Sequence, residues 1–277
     1  MNSIDTSSTG VNTETEFYIW KDGKIPSRGA ALTVAESSQP SRLRYSTISE
    51  EVESVDAACF VSGTLIETSS GLRLVEELKA GDAVRTLDNG YRKILWTGSW
   101  SVDSIDLLYK PKLYPIRIRA GSLGENMPSR DLVVSRQHRI LIGSEISKRM
   151  FGSTEVMVPA INLVDCDGIS IEADASSVTY WHVLLENHEV LFAEGAMVES
   201  MYLGKIAIRN LSSAAREEIS LIFPGISDPD FFYPPARKFI EARESARKLI
   251  HRYKKDNMPM ITDKTVCRDG PTSWPKA

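Results

Sequence analysis

Cysteine is scarce in this chain, and the little there is follows no pattern. The 277 residues hold three cysteines, Cys59, Cys166 and Cys267, odd in number and far apart. Disulfide frameworks use even sets at close spacing, and zinc sites use Cys or His pairs a few residues apart. Neither arrangement is present, so a disulfide scaffold is not expected, nor a metal or organic cofactor. Long apolar runs are missing too: none approaches the roughly 18 residues a membrane helix needs. The N-terminus, Met1-Asn2-Ser3-Ile4-Asp5-Thr6, lacks the basic and then apolar regions of a cleaved secretory signal. The compartment therefore stays open between the cytoplasm and export by a non-classical route. A net charge of -4 gives no general reason to expect nucleic acid or an acidic membrane as a partner.

What is present is enough apolar residue, 42%, to build one or two domains with a real core. Three textures divide the chain. Residues 1–58 are rich in Ser, Thr, Glu, Gly and Pro with little periodicity, and read as a disordered leader or linker. Within them Phe17-Tyr18-Ile19-Trp20 followed by Lys21-Asp22-Gly23-Lys24 is either one hairpin or an apolar patch in a flexible arm. Residues 59–205 alternate short strands with turn signals and predict a compact all-β domain. Its strands include Leu132-Val133-Val134, Ile140-Leu141-Ile142, Val156-Met157-Val158, Val178 to Leu185 and Val190-Leu191-Phe192. Asp88-Asn89-Gly90 predicts a type I′ hairpin turn. Residues 206–277 form a helical C-terminal extension and tail. In it Ser212 caps one helix, and a second is expected over 235–255 with Phe239, Ala242, Ala246, Leu249, Ile250 and Tyr253 on one face. The other face of that helix is basic. Packing on its own domain is the commoner use of such a helix, and a weak contact with an acidic membrane or a protein partner is the alternative.

Three features are candidates for chemistry. Cys59 opens the ordered region in Cys59-Phe60-Val61-Ser62-Gly63-Thr64, well placed to act on the peptide bond before it. Ser135-Arg136-Gln137-His138 ends a strand, and His188 precedes Val190-Leu191-Phe192-Ala193-Glu194-Gly195. Singly each has a bland reading, since an isolated cysteine is usually a small buried hydrophobe and an isolated histidine a hydrogen-bonded structural residue. His182 alternates with Tyr180 on a strand and divides evenly between a functional role and a surface or structural one. Asp131 is a candidate to orient His138. Arg117, Arg119, Arg130 and Arg136 read as a solvated basic face.

Taken in order, the segments resemble the Hint (Hedgehog/intein) superfamily, the self-processing module of inteins and Hedgehog C-terminal domains. The opening Cys59 and Thr64, Val75-Glu76-Glu77-Leu78 with Gly81-Asp82, Ser135-x-x-His138 where the family has Thr-x-x-His, and His188 with Gly195 carry the likeness. It is closest to the bacterial Hint-like subgroup over roughly residues 58–205. The resemblance implies a horseshoe-like, pseudo-two-fold β domain that cleaves its own chain at Ala58-Cys59. Cys59 would attack the Ala58 carbonyl to give a thioester, His138 would supply a proton to the Cys59 nitrogen, and Ser135 would hydrogen-bond the scissile peptide. His188 would polarise a second step. Water or an unknown nucleophile would then release the N-terminal segment, which is itself the substrate. The family's splice end, His-Asn before Cys, Ser or Thr, is replaced by Val198-Glu199-Ser200-Met201, so full protein splicing is not expected. Two other readings remain: a catalytically inactive Hint-fold binding or delivery module, and a thiol hydrolase acting in trans.

Overall fold

The computed structural model describes residues 58–261. The leader, its Phe17–Trp20 segment and Cys267 lie outside the described residues. The chain enters with a two-residue strand, β1 (Phe60–Val61), and turns at Gly63, whose φ of +88° favours glycine. The hairpin β2 (Leu65–Thr68) and β3 (Gly71–Leu74) follows, then a single 3₁₀ turn at Val75–Glu77.

Strands β4 (Ala83–Thr86) and β5 (Gly90–Lys93) pair with Thr86 opposite Gly90, which leaves a three-residue loop instead of the two-residue turn the sequence predicts. Positive φ falls on Gly90 alone, whereas a type I′ turn needs it at both central residues. Asn89 is used elsewhere: its amide donates to both oxygens of Glu189 at 2.8 and 3.0 Å.

The long strand β6 (Trp96–Val102) leads into α1 (Ser104–Tyr109), which Asp103 and Asp106 close with a capping box. After α1 come β7 (Ile116–Ile118), β8 (Leu132–Val134), β9 (Arg139–Gly143), α2 (Glu145–Phe151) and β10 (Glu155–Pro159). Next are β11 (Ile169–Ile171), β12 (Val178–Leu184), β13 (Val190–Ala193) and β14 (Ala196–Glu199). The two last form a tight hairpin at Glu194-Gly195, both residues having positive φ.

These strands make two sheets. One runs β11-β7-β8-β1-β12-β6, and the other places β10, β9, β14, β13, β2, β4 and β5 side by side, with β3 on β2. The expected mainly β domain is therefore what the chain forms. Ile66, Val84, Ile116, Ile118, Leu141, Val158 and Leu191 are fully buried in one core spanning both sheets.

The C-terminal extension begins with α3 (Lys205–Arg209) and α4 (Ser213–Ile222), the latter capped by Ser212 Oγ accepting from Ala215 N–H at 3.2 Å. The expected 235–255 helix is shorter and is preceded by a strand. Lys238–Phe239 forms β15, parallel to β10, and Ile240 N–H donates to Met157 at 2.8 Å. Those backbone bonds to β10 take the segment that helical periodicity alone had assigned to a first turn, and α5 covers Arg243–Asp256. Its apolar face is buried in the main core through Ala246, Leu249, Ile250 and Tyr253. The Tyr253 hydroxyl bonds Ser144 and Ser147 of α2. The exposed face stays basic but is interleaved with acids, with Lys248 on Glu244 and Lys254 on Asp167. Among the described residues no helix is long and apolar enough to cross a membrane.

Candidate active site

The short strand β1 is flanked on both sides. Phe60 pairs with Val134 of β8 and with Trp181 of β12, so Cys59 sits where the ends of two neighbouring strands reach it. From β8, Ser135 N–H donates to the Cys59 carbonyl at 2.9 Å, and the Cys59 N–H donates to Ser135 Oγ at 3.1 Å. His138 Nδ1 lies 3.0 Å from the same Cys59 carbonyl. A carbonyl only accepts, so Nδ1 carries the proton. Burial pushes the His138 imidazole below its usual range, which keeps the ring neutral and leaves Nε2 as a buried atom without a hydrogen-bond partner. The Phe60 ring packs edge-on against it at 4.6 Å.

From β12 comes a residue that the sequence left evenly divided. His182 Nδ1 lies 3.0 Å from the Ala58 carbonyl, and its two ring nitrogens lie 3.5 and 3.7 Å from Cys59 Sγ. The amide linking Ala58 to Cys59 is thus held at both ends, its N–H by Ser135 and its C=O by His182. Ala58, Cys59, Ser135, His138 and His182 are all buried. The signal for His182 was its alternation with Tyr180, which puts both on one face of β12. Tyr180 anchors that face by donating its hydroxyl to the Leu113 carbonyl at 2.6 Å.

The structure therefore brings together Cys59, Ser135 and His138, with one difference of detail. Ser135, not His138, contacts the Cys59 nitrogen, and His138 holds the Cys59 carbonyl. His188 lies elsewhere. Its Nε2 donates to Glu199 at 3.1 Å, and its Nδ1 accepts from the Ala236 N–H at 2.9 Å, which ties the extension to the β domain. Burial alone would raise the Glu199 carboxyl, but Arg139 and His188 hold it below the usual carboxylate range. Asp131 is occupied by Arg117 at 3.1 Å and the Ala120 N–H at 3.0 Å, and makes no bond to His138. The expected solvated arginine face is in part an ion-pair cluster, since Arg117 also bonds Glu172 and Arg130 lies 3.6 Å from Glu194. Cys166 is a buried thiol pushed up to about 12 by desolvation, which suits packing and not nucleophilic work. No group of three or more His, Cys, Asp or Glu among the described residues has the geometry to hold a metal ion.

A cleft of about 460 Å³ opens beside Ala58, lined by Gln137, Arg139, Tyr202, Lys205 and Glu241 among others. Ala58 itself is nearly covered, with 6% of its surface exposed.

Comparison with known proteins bears on the same segment. No curated protein matches the chain. A bacterial intein-like domain from Clostridium thermocellum is similar at 14% identity and a TM-score of 0.33, covering 50% of this chain and 96% of that one. A DnaB intein from Synechocystis sp. PCC 6803 is similar at 9% identity and a TM-score of 0.34, covering 52% and 98%. The family model for the Hint domain matches residues 58–205, more than half of the sequence. The match begins at Ala58, the residue whose carbonyl His182 holds, and the chain belongs to the Hint domain family.

Proposed function

We propose that this Hint domain cleaves its own chain between Ala58 and Cys59 through a thioester, without completing protein splicing. The observation that carries the reading is the grip on a single amide: Ser135 Oγ on its N–H, His182 Nδ1 on its C=O, and Cys59 Sγ against the same His182 ring. A peptide bond in a β strand is ordinarily held by backbone partners, and side chains at both of its ends suit a bond that reacts.

The chemistry follows from those contacts. The thiolate is the nucleophile and a free thiol is mostly protonated at neutral pH, so a proton acceptor is required. With Nδ1–H committed to the Ala58 carbonyl, His182 Nε2 takes the Sγ proton. Sγ bonds to the Ala58 carbonyl carbon, and the C=O electron pair moves to oxygen as an oxyanion. The ring, now doubly protonated, faces that oxyanion through Nδ1–H, so one side chain serves as base and as electrostatic stabiliser. Attack within one residue costs little entropy because the sulfur is tethered beside its target.

The tetrahedral centre collapses by breaking the C–N bond. The Cys59 nitrogen leaves as an amine and takes up the proton that His182 removed from Sγ, which returns the imidazole to neutral while Ser135 Oγ keeps hold of that nitrogen. His138 and the Ser135 N–H hold the Cys59 carbonyl, fixing the leaving half of the bond while its partner rearranges. Water or another nucleophile entering by the Arg139–Lys205 cleft then attacks the thioester, releasing residues 1–58 as a carboxylic acid or an adduct and restoring the Cys59 thiol.

Splicing is left out because the residue before Ser200 is Glu199, which cannot cyclise as asparagine does and is bonded to Arg139 and His188. Ser200 is itself buried, accepting the Glu189 N–H at 3.0 Å.

The test is the intact mass of the purified chain, fresh and after incubation with dithiothreitol, beside Cys59→Ala. Thiol-accelerated appearance of a fragment beginning at Cys59, absent from the variant, is the expected result. A parent chain that stays whole for days across several pH values defeats the proposal and leaves the fold as a binding scaffold.

A further inference from the structure

His182 has to face an oxygen and a sulfur at once, so its ring orientation matters more than its presence. The terminal torsion of histidine is broad, and a strand neighbour is needed to fix it. That neighbour is Trp96. His182 pairs directly across the β6–β12 ladder with Gly98. A Cβ on Gly98 would fall 2.1 Å from Cη2 and 2.4 Å from Cζ2 of Trp96, so the indole folds back along its own strand into the space a side chain would fill. From there it stacks on His182, with ring centroids 6.2 Å apart and planes 25° from parallel. The indole N–H donates to Glu218 Oε2 at 2.5 Å. Glu218 belongs to α4, whose Ala215 and Ile219 share a separate buried cluster with Trp96, Leu184, Met201 and Tyr233.

We propose that Trp96, seated over Gly98 and tethered by Glu218, is the positioning residue for His182, which makes helix α4 a working part of the cleavage site although it lies beyond the family-matched segment. The inference rests on the proposed cleavage at Ala58–Cys59. Glu218 acts through Trp96 and touches no reacting atom. Its carboxylate fixes the indole along the helix-to-strand direction, Gly98 leaves the space the indole fills, and the stacked His182 ring keeps its nitrogens toward Ala58 and Cys59.

The experiment uses the full 277-residue chain. First-order rates of dithiothreitol-induced release are measured for the parent, Glu218→Ala, Glu218→Gln and Gly98→Ala, with melting temperature recorded for each. A displaced catalytic ring typically costs about 10- to 100-fold. Glu218→Ala and Gly98→Ala are expected to slow release by that factor, and Glu218→Gln, whose amide oxygen still accepts the indole N–H, to recover to within about threefold of the parent. Parent rates in both Glu218→Ala and Gly98→Ala overturn the inference, as does a Glu218→Gln no faster than Glu218→Ala. A second readout separates this from failure of the cleavage reading. In the Cys59→Ala background, the ¹⁵N shifts of the His182 imidazole are expected to move in Glu218→Ala and return in Glu218→Gln, whether or not the parent cleaves. Unchanged shifts in Glu218→Ala and Gly98→Ala sink the positioning role on their own.

Discussion

Removal of the His182 ring tests the site most directly. The side chain makes two contacts that the proposed first step needs, Nδ1 to the Ala58 carbonyl at 3.0 Å and ring nitrogens to Cys59 Sγ at 3.5 and 3.7 Å. An oxyanion donor of this kind is worth about 10²–10³ in rate. A positioned proton acceptor is worth about 10²–10⁴. The two do not multiply, because both act through one ring and the second function exists only while the first is in place. His182→Ala should therefore slow thiol-induced release by roughly 10²–10⁴. His182→Asn divides the two functions. Its amide nitrogen falls near the Nδ1 position and can still donate to Ala58, but it has no basic nitrogen to take the thiol proton. It should cleave faster than His182→Ala and slower than the parent. The assay is the first-order appearance of the Cys59-initiated fragment by intact mass, at fixed thiol concentration and pH, with melting temperature recorded to exclude unfolding. Release by His182→Ala within about threefold of the parent, from a folded chain, would refute the reasoning and return the proton transfers to His138.

Two further predictions concern stability. Burial holds His138 below its unfolded value of 6.5, so below that pH the unfolded chain binds more protons and stability falls as pH drops from 6.5 toward the folded pKa. Urea unfolding of Cys59→Ala at pH 7.5, 6.0 and 5.0 should show this loss, and adding His138→Gln should flatten that part of the slope; equal slopes would show that His138 is not buried neutral. Leu249 is 1% exposed on α5 and shares the main core. Leu249→Ala should cost about 3 kcal/mol and lower the melting temperature by roughly 6–12 °C. A change under about 2 °C would mean that α5 is not part of the core it packs on.

Much of the site was legible because its residue types are demanded by the chemistry. A cysteine where strand patterning begins, and a hydroxyl three residues before a histidine at a strand end, are local patterns, and the fold brings Cys59, Ser135 and His138 within hydrogen-bond reach of one another. What the sequence could not assign was contact direction. A three-residue spacing places Ser135 and His138 on one turn, but whether the ring meets the nitrogen or the carbonyl of Cys59 depends on the backbone of β8 continuing its ladder through Ser135 N–H. His188 shows the opposite case. Its motif position matched the family, yet its partners, Glu199 and the Ala236 N–H, come from the hairpin end and from the extension, 11 and 48 residues away. The early part of the expected 235–255 helix failed for a similar reason. Phe239 does belong to an apolar face, but the face is that of an added strand, with Arg139 stacked 3.9 Å above its ring.

His182 was undecided for a reason of register. Along β12 the side chains alternate, so either Tyr180 and His182 or Trp181 and Val183 face Cys59, and a slip of one residue exchanges the sets. Sequence periodicity is equally satisfied by both. Two bonds from opposite faces of the strand decide it. Trp181 Nε1 donates to Ser62 Oγ at 2.8 Å, in the turn that follows β1, and Tyr180 donates to Leu113 at 2.6 Å. With Phe60 opposite Trp181, the next residue along β12 falls opposite Cys59, and that residue is His182. The residue that meets the thiol is thus set by the hydrogen bonds of its two neighbours on β12, an indole and a phenol. A substitution at Ser62 that loosens the register, such as Ser62→Ala, should therefore slow thiol-induced release while leaving Cys59, Ser135, His138 and His182 in place.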